Sequence, residues 1–128
     1  MAVIRDFIAL FTTPSSFTND PVNWVYNQIG HGYLGVAVTC LITYALYCTT
    51  GTYPNDFNIA LAVPLGYLIL WELDVQGWRG WDTFEDTLFV GAGSGLFVII
   101  DMSEVIGRLT IWILITGVAI FIGAVRRL

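Results

Sequence analysis

From Pro21 to Asn55 the chain carries no formally charged side chain. A helix needs about 20 residues, at a rise of roughly 1.5 Å each, to cover the ~30 Å hydrocarbon core of a bilayer. This one stretch exceeds that length. Composition extends the point to the whole chain. Of 128 residues, 56% are hydrophobic and 12% charged, about half the roughly 25% charged share of soluble domains. The mean hydropathy is +0.73. A soluble chain this apolar would expose large sticky patches, whereas a bilayer accepts them. The length gives room for one domain.

The hydrophobic pattern predicts an all-α integral membrane bundle of four transmembrane helices, over about 23–48, 57–76, 82–100 and 109–125, forming one domain over 21–128. The turn-rich segment Thr49–Pro54 closes the first span. Residues 1–20 form a separate unit. Val3, Ile4, Phe7, Ile8 and Phe11 recur at helical spacing, too briefly to span, and predict an amphipathic helix lying in the interface. A polar loop from Thr12 to Asp20 follows it. A three-span alternative makes 57–73 a re-entrant helix. Asp6 interrupts the N-terminal apolar stretch, and no small-residue cleavage site follows, so no signal peptide is expected.

There is no lysine, and the cations are Arg5, Arg79, Arg108, Arg126 and Arg127. Four spans put both termini on one side with four of these arginines, leaving only Arg108 opposite. The positive-inside rule then places both termini in the cytoplasm. Trp24, Trp71, Trp78 and Trp81 fall near the same end, as an aromatic belt would. The expected location is a bacterial cytoplasmic membrane, or the host membrane of a viral or phage-encoded protein. The lipid bilayer is the first partner, with other membrane subunits or further copies of the chain as candidates. A net charge of −5 argues against nucleic acid, because nothing neutralises a run of phosphates. Cys40 and Cys48 would stand about 12 Å apart along a helix, too far for a disulfide.

Glycines recur in the first span (Gly30, Gly32, Gly35) and the third (Gly91, Gly93, Gly95). They are expected to let helices approach closely, and Gly91 with Gly95 alone has GxxxG spacing. They are not a phosphate loop, since no strand precedes them and no GK[ST] follows.

The polar residues within the spans carry the functional reading. His31 lies about two turns into the first span, with Asn27 one turn earlier on the same face. Glu72 and Gln76 form an i,i+4 pair at the cytoplasmic end of the second. Asp82 and Asp86 form another at the start of the third, beside Glu85, with Arg79 in the connection. Ionisable groups inside spans are costly and usually face the bundle interior at functional sites. His31, Glu72, Asp82 and Asp86 are therefore the candidate cluster, supported by Asn27, Gln76 and Arg79. Glu85 and Asp74 are read more simply, as carboxylates solvated near the headgroups, where those of a first helical turn also suit the dipole.

The run Trp71-Glu72, then Gly80-Trp81-Asp82-Thr83-Phe84-Glu85-Asp86, then Gly93, after a histidine in the preceding span, resembles the VanZ-like membrane proteins and most closely their YjdF-type relatives. The likeness covers about residues 24–100, and it departs at Val90, where the family often has asparagine. It implies that His31, Glu72, Asp82 and Asp86 are the shared polar positions, with Arg79 and Gln76 as weaker matches. VanZ is associated with glycopeptide-antibiotic resistance, and the YjdF type has no assigned reaction.

Three functions follow from these residues. The first is a structural or accessory subunit of a membrane assembly, in which the His/carboxylate cluster near the cytoplasmic face fixes helix packing or a partner. The second is binding or modification of an anionic lipid headgroup, with a divalent metal on His31, Glu72, Asp82 and Asp86 and a phosphate oxygen on Arg79. No nucleophile stands out, so whether the chain is an enzyme is left open. The third is a holin-like pore or an ion pathway, against which the concentration of polarity at one face argues.

Overall fold

A computed structural model describes residues 17–100 and 105–128. The expected interfacial helix and Arg5 lie outside the described residues.

Four helices follow one another, and no strand occurs among the described residues. Helix α1 spans Pro21–Thr50. Asp20 caps it by accepting from the Asn23 amide at 3.1 Å, and Pro21 sits at the first position, where a missing N–H costs nothing. The Asn23 bonds hold the Asp20 carboxyl below its usual pKa. At the other end Gly51 takes a left-handed conformation (φ 70°) and donates to Tyr47 O, a C-terminal stop that glycine adopts without strain. The Cys40 and Cys48 thiols are free and exposed.

Helix α2 covers Asp56–Tyr67 and continues without a break as a π-helical turn, Leu68–Leu73. Pro64, inside α2, has no N–H to give the ladder, and the wider turn begins one turn beyond it. The segment ends at Leu73 rather than at Gln76: the Val75 and Gln76 amides both bond to Trp71 O, and Gly77 then turns left-handed (φ 75°). Gln76 therefore belongs to a turn, and the expected i,i+4 pairing with Glu72 on one helix is corrected. Helix α3 spans Trp81–Ile100 and α4 Val105–Val125. Two segments, Pro21–Thr50 and Asp56–Leu73, are long and apolar enough to cross a membrane, and Leu109–Val125 is apolar but shorter.

Helix α3 is the centre of the arrangement. It packs along both α1 and α2, which touch each other much less, and α4 lies across α3 and α1. Glycines decide how close α1 and α3 come. A Cβ on Gly35 would strike Val90 O, and one on Gly93 would strike Gly32 O. Gly95 faces open space, and Gly91 meets only the Pro64 ring at ordinary distance. The pair with GxxxG spacing is thus not the one that brings these helices together. Gly123 plays the same part for α4, because a Cβ there would enter the Trp24 ring. Trp112 ties α4 to α3 by donating to Ala92 O at 2.8 Å.

The distribution of residue types is inverted relative to a water-soluble domain. Among the described residues, Gln28, Thr39, Thr43, Glu72, Thr83, Glu85, Asp86 and Ser94 are buried, whereas the buried hydrophobic residues are Trp24, Ile59, Val63, Phe89 and Val90. Large apolar side chains such as Leu41, Leu61, Leu70, Leu114 and Phe121 are exposed. In each of the two long apolar segments only 17% of the most apolar stretch is buried. Two interior hydroxyls use their own helices as acceptors: Thr39 donates to Gly35 O at 2.7 Å, and Ser94 to Val90 O at 3.1 Å.

Candidate functional site

The polar residues collect where α1 and α3 begin and α4 ends. On α1, positions 24, 28, 31 and 35 share one face, so Trp24, Gln28, His31 and Gly35 all turn toward α3. Gln28 is fully buried and donates from Nε2 to Asp86 Oδ1 at 2.8 Å. The same oxygen lies 3.4 Å from His31 Nδ1, and the Asn27 amide nitrogen is 3.4 Å from that ring nitrogen on its other side. Nδ1 thus stands between an amide donor and a carboxylate.

Glu72 is 1% exposed and accepts from Tyr67 Oη at 2.7 Å. These residues are five apart, which in an α-helix puts them on different faces. In the π-helical turn the i→i+5 ladder brings them over one another. The Tyr67 ring stands edge-on to His31, with centroids 5.8 Å apart. The local backbone irregularity is therefore what sets Glu72 against Tyr67.

A second group lies at the end of the bundle. Glu85 accepts from Trp81 Nε1 at 2.9 Å and from Arg126 at 2.8 Å on Oε1, and from Arg127 at 2.7 Å on Oε2. Arg127 also approaches Asp82 at 3.9 Å, and Asp82 takes Arg79 at 3.2 Å. The two guanidiniums lie over indole rings, Arg127 on Trp24 at 4.4 Å and Arg126 on Trp81 at 5.1 Å, where cation–π attraction adds to the ion pairs.

Several sequence expectations change here. Glu85 is not solvated: it is buried and anchors the C-terminal arginines, because burial of a carboxylate requires such partners. Asp74, by contrast, is exposed. Trp24 does not belong to an outer aromatic belt but is buried edge-on against Phe89. Of the four candidate residues, only His31 and Asp86 meet directly. Glu72 is held by Tyr67, and Asp82 by Arg79. The four do not converge as a metal ligand set, since among the described residues no group of three or more His, Cys, Asp or Glu side chains is placed to hold an ion. The physical reason is competition: separate donors hold each carboxylate apart.

Between α1 and the π-helical turn a cleft of about 790 Å³ opens, with Asp82 and Asp86 of α3 at its base. Its lining combines Asn27, His31, Gln76, Arg79, Asp82 and Asp86 with Tyr26, Tyr33, Leu34, Ala37, Tyr67 and Trp71. The cleft exists because α1 and α2 both lean on α3 rather than on each other. Six of the seven residues singled out from the sequence line it; Glu72 does not.

Gln28 and Tyr67 were missed from sequence. Gln28 had a usable signal, an amide in an uncharged span one turn from Trp24. Tyr67 had none, since its approach to Glu72 depends on the π-helical turn. No protein-family model matches the chain, and no curated protein or solved structure matches it either.

Proposed function

We propose that this chain is a four-span integral membrane protein whose lateral cleft receives the polar end of a membrane amphiphile. The supporting observation is the cleft itself, whose lining combines ionisable and amide groups with aromatic and aliphatic surface. An amphiphile carries both kinds of group. The inverted burial pattern supports the membrane setting, because apolar side chains facing outward lose nothing in lipid, and interior groups such as Gln28, Glu72 and Glu85 bond to other side chains of the bundle. The VanZ-like resemblance is compatible with this reading and rests on the residues quoted for it alone.

Occlusion tests the cleft. Gly30 lines it, and a Cβ there meets nothing within 4 Å, so Gly30→Trp should fill the space without disturbing a helix contact. Native mass spectrometry of protein extracted in a mild detergent should show a retained lipid that Gly30→Trp removes. Equal retention by both proteins would refute the cleft as its seat.

The proximity of Arg127 to Trp24 puts the start of α1 and the end of α4 at one end, as an even number of spans requires. The proposed orientation has both termini cytoplasmic. In a background lacking Cys40 and Cys48, a cysteine at Asn55 should react only with reagent added from the opposite side. Labelling confined to the cytoplasmic side would reverse the orientation.

The second reading is an accessory subunit of a membrane assembly. It is favoured by the internal pairing of Glu85 with Arg126 and Arg127, which holds helices together and leaves little for chemistry. A continuous ion pathway has less support. Beyond His31 the α1–α3 seam closes backbone to backbone at Gly32, Gly35, Val90 and Gly93.

A further inference from the structure

We infer that the headgroup accepted by the cleft is a cationic amine rather than an anion or a neutral polyol. This rests on the cleft reading above and adds the chemistry of its occupant.

The charged groups in the lining are Arg79, Asp82 and Asp86. Arg79 gives Nη1 to Asp82 at 3.2 Å, and Arg127 also approaches Asp82, at 3.9 Å. The one arginine of the lining is thus already charge-paired, and the carboxylates outnumber it. A bridging metal is no remedy, because the carboxylates do not converge.

Asp86 is different. Gln28 and His31 both approach Oδ1, and among the described residues no hydrogen bond reaches Oδ2. Oδ2 therefore has no partner within the described residues, and a positively charged headgroup entering the cleft has a carboxylate oxygen to face. The same cleft is lined by the rings of Tyr26, Tyr33, Tyr67 and Trp71. Aromatic faces attract cations and are indifferent or repulsive to anions. Carboxylate and rings together select for positive charge. Asn27 and Gln76 add polar contacts of either sense.

Native mass spectrometry in a maltoside detergent tests this with three lipids sharing dioleoyl tails: a trimethylammonium-propane, a phosphatidylglycerol and a diacylglycerol. The ammonium lipid should bind at one saturable site about tenfold more tightly than either other. Asp86→Asn, which retains an oxygen for Gln28, should abolish that preference. Tyr33→Leu changes a largely exposed ring and should reduce it without touching the interior, which covers the case in which Asp86→Asn misfolds. Equal binding of all three, or preference for phosphatidylglycerol, with Gly30→Trp still removing the signal, would overturn the amine inference and leave the cleft standing. Absence of saturable binding by any lipid, or binding insensitive to Gly30→Trp, would overturn the cleft reading and this inference with it.

Discussion

Gly93→Ala is expected to destabilise the bundle by about 3 kcal/mol, the upper part of the range for overpacking a closed interface. The added methyl would meet Gly32 O, a backbone atom that cannot rotate away. Relief requires α1 and α3 to separate, and separation loosens the seating of Gln28 and His31 against Asp86. Gly35→Ala should behave alike, because its methyl would meet Val90 O. Gly95→Ala supplies the control: it faces open space, so only the gain in helix propensity, about 0.5–1 kcal/mol, should register. Denaturant titration in mixed micelles, followed by circular dichroism, measures all three. Indistinguishable midpoints for Gly93→Ala and Gly95→Ala would show that the helices do not meet at that seam.

The second large effect concerns the end of the chain. Glu85→Ala should cost about 3–5 kcal/mol, the usual consequence of leaving a buried charge without its partner. The side chains of Glu85 and Arg127 are 8% and 10% exposed, but that of Arg126 is 47% exposed. Water screens the Arg126 pair, whose contribution should stay below about 1 kcal/mol. The expected order of destabilisation is therefore Glu85→Ala, then Arg127→Ala, then Arg126→Ala. A double-mutant cycle between positions 85 and 127 isolates the pair from the Trp24 stacking that Arg127 also makes. If Arg126→Ala and Arg127→Ala prove equally mild, the C-terminal arginines are surface anchors and not part of the bundle's interior.

These cases show which properties a one-dimensional pattern can carry. Helical segments were legible because they depend on local chemistry: a long uncharged run, turn residues at Gly51–Pro54, and glycines that end and begin segments at Gly77 and Gly80. That polar residues would gather at one end was legible too, since helix lengths and the short connection after Gln76 bring Glu72 and Asp82 to similar depth. Pairing was not. Spacing put Asp82 and Asp86 on one face, yet they serve different partners, because Arg79 reaches one and Gln28 the other. Glu85, one residue before Asp86, points to a third set altogether.

Residue order alone specifies an apolar, helical, lysine-free chain whose Asp, Glu and Arg side chains lie toward segment ends, with His31 further inside. Those are consequences of composition and period, which each stretch expresses on its own. Only the tertiary structure decided which glycines carry the helix contact, that Glu72 turns toward Tyr67 through a π-helical turn, and that Arg126 and Arg127 fold back on Glu85. It also decided that α1 and α2 stand apart over α3 and leave a cleft. Each depends on the rotation and separation of helices distant in sequence, quantities that side-chain volume and buried charge settle jointly once the helices meet.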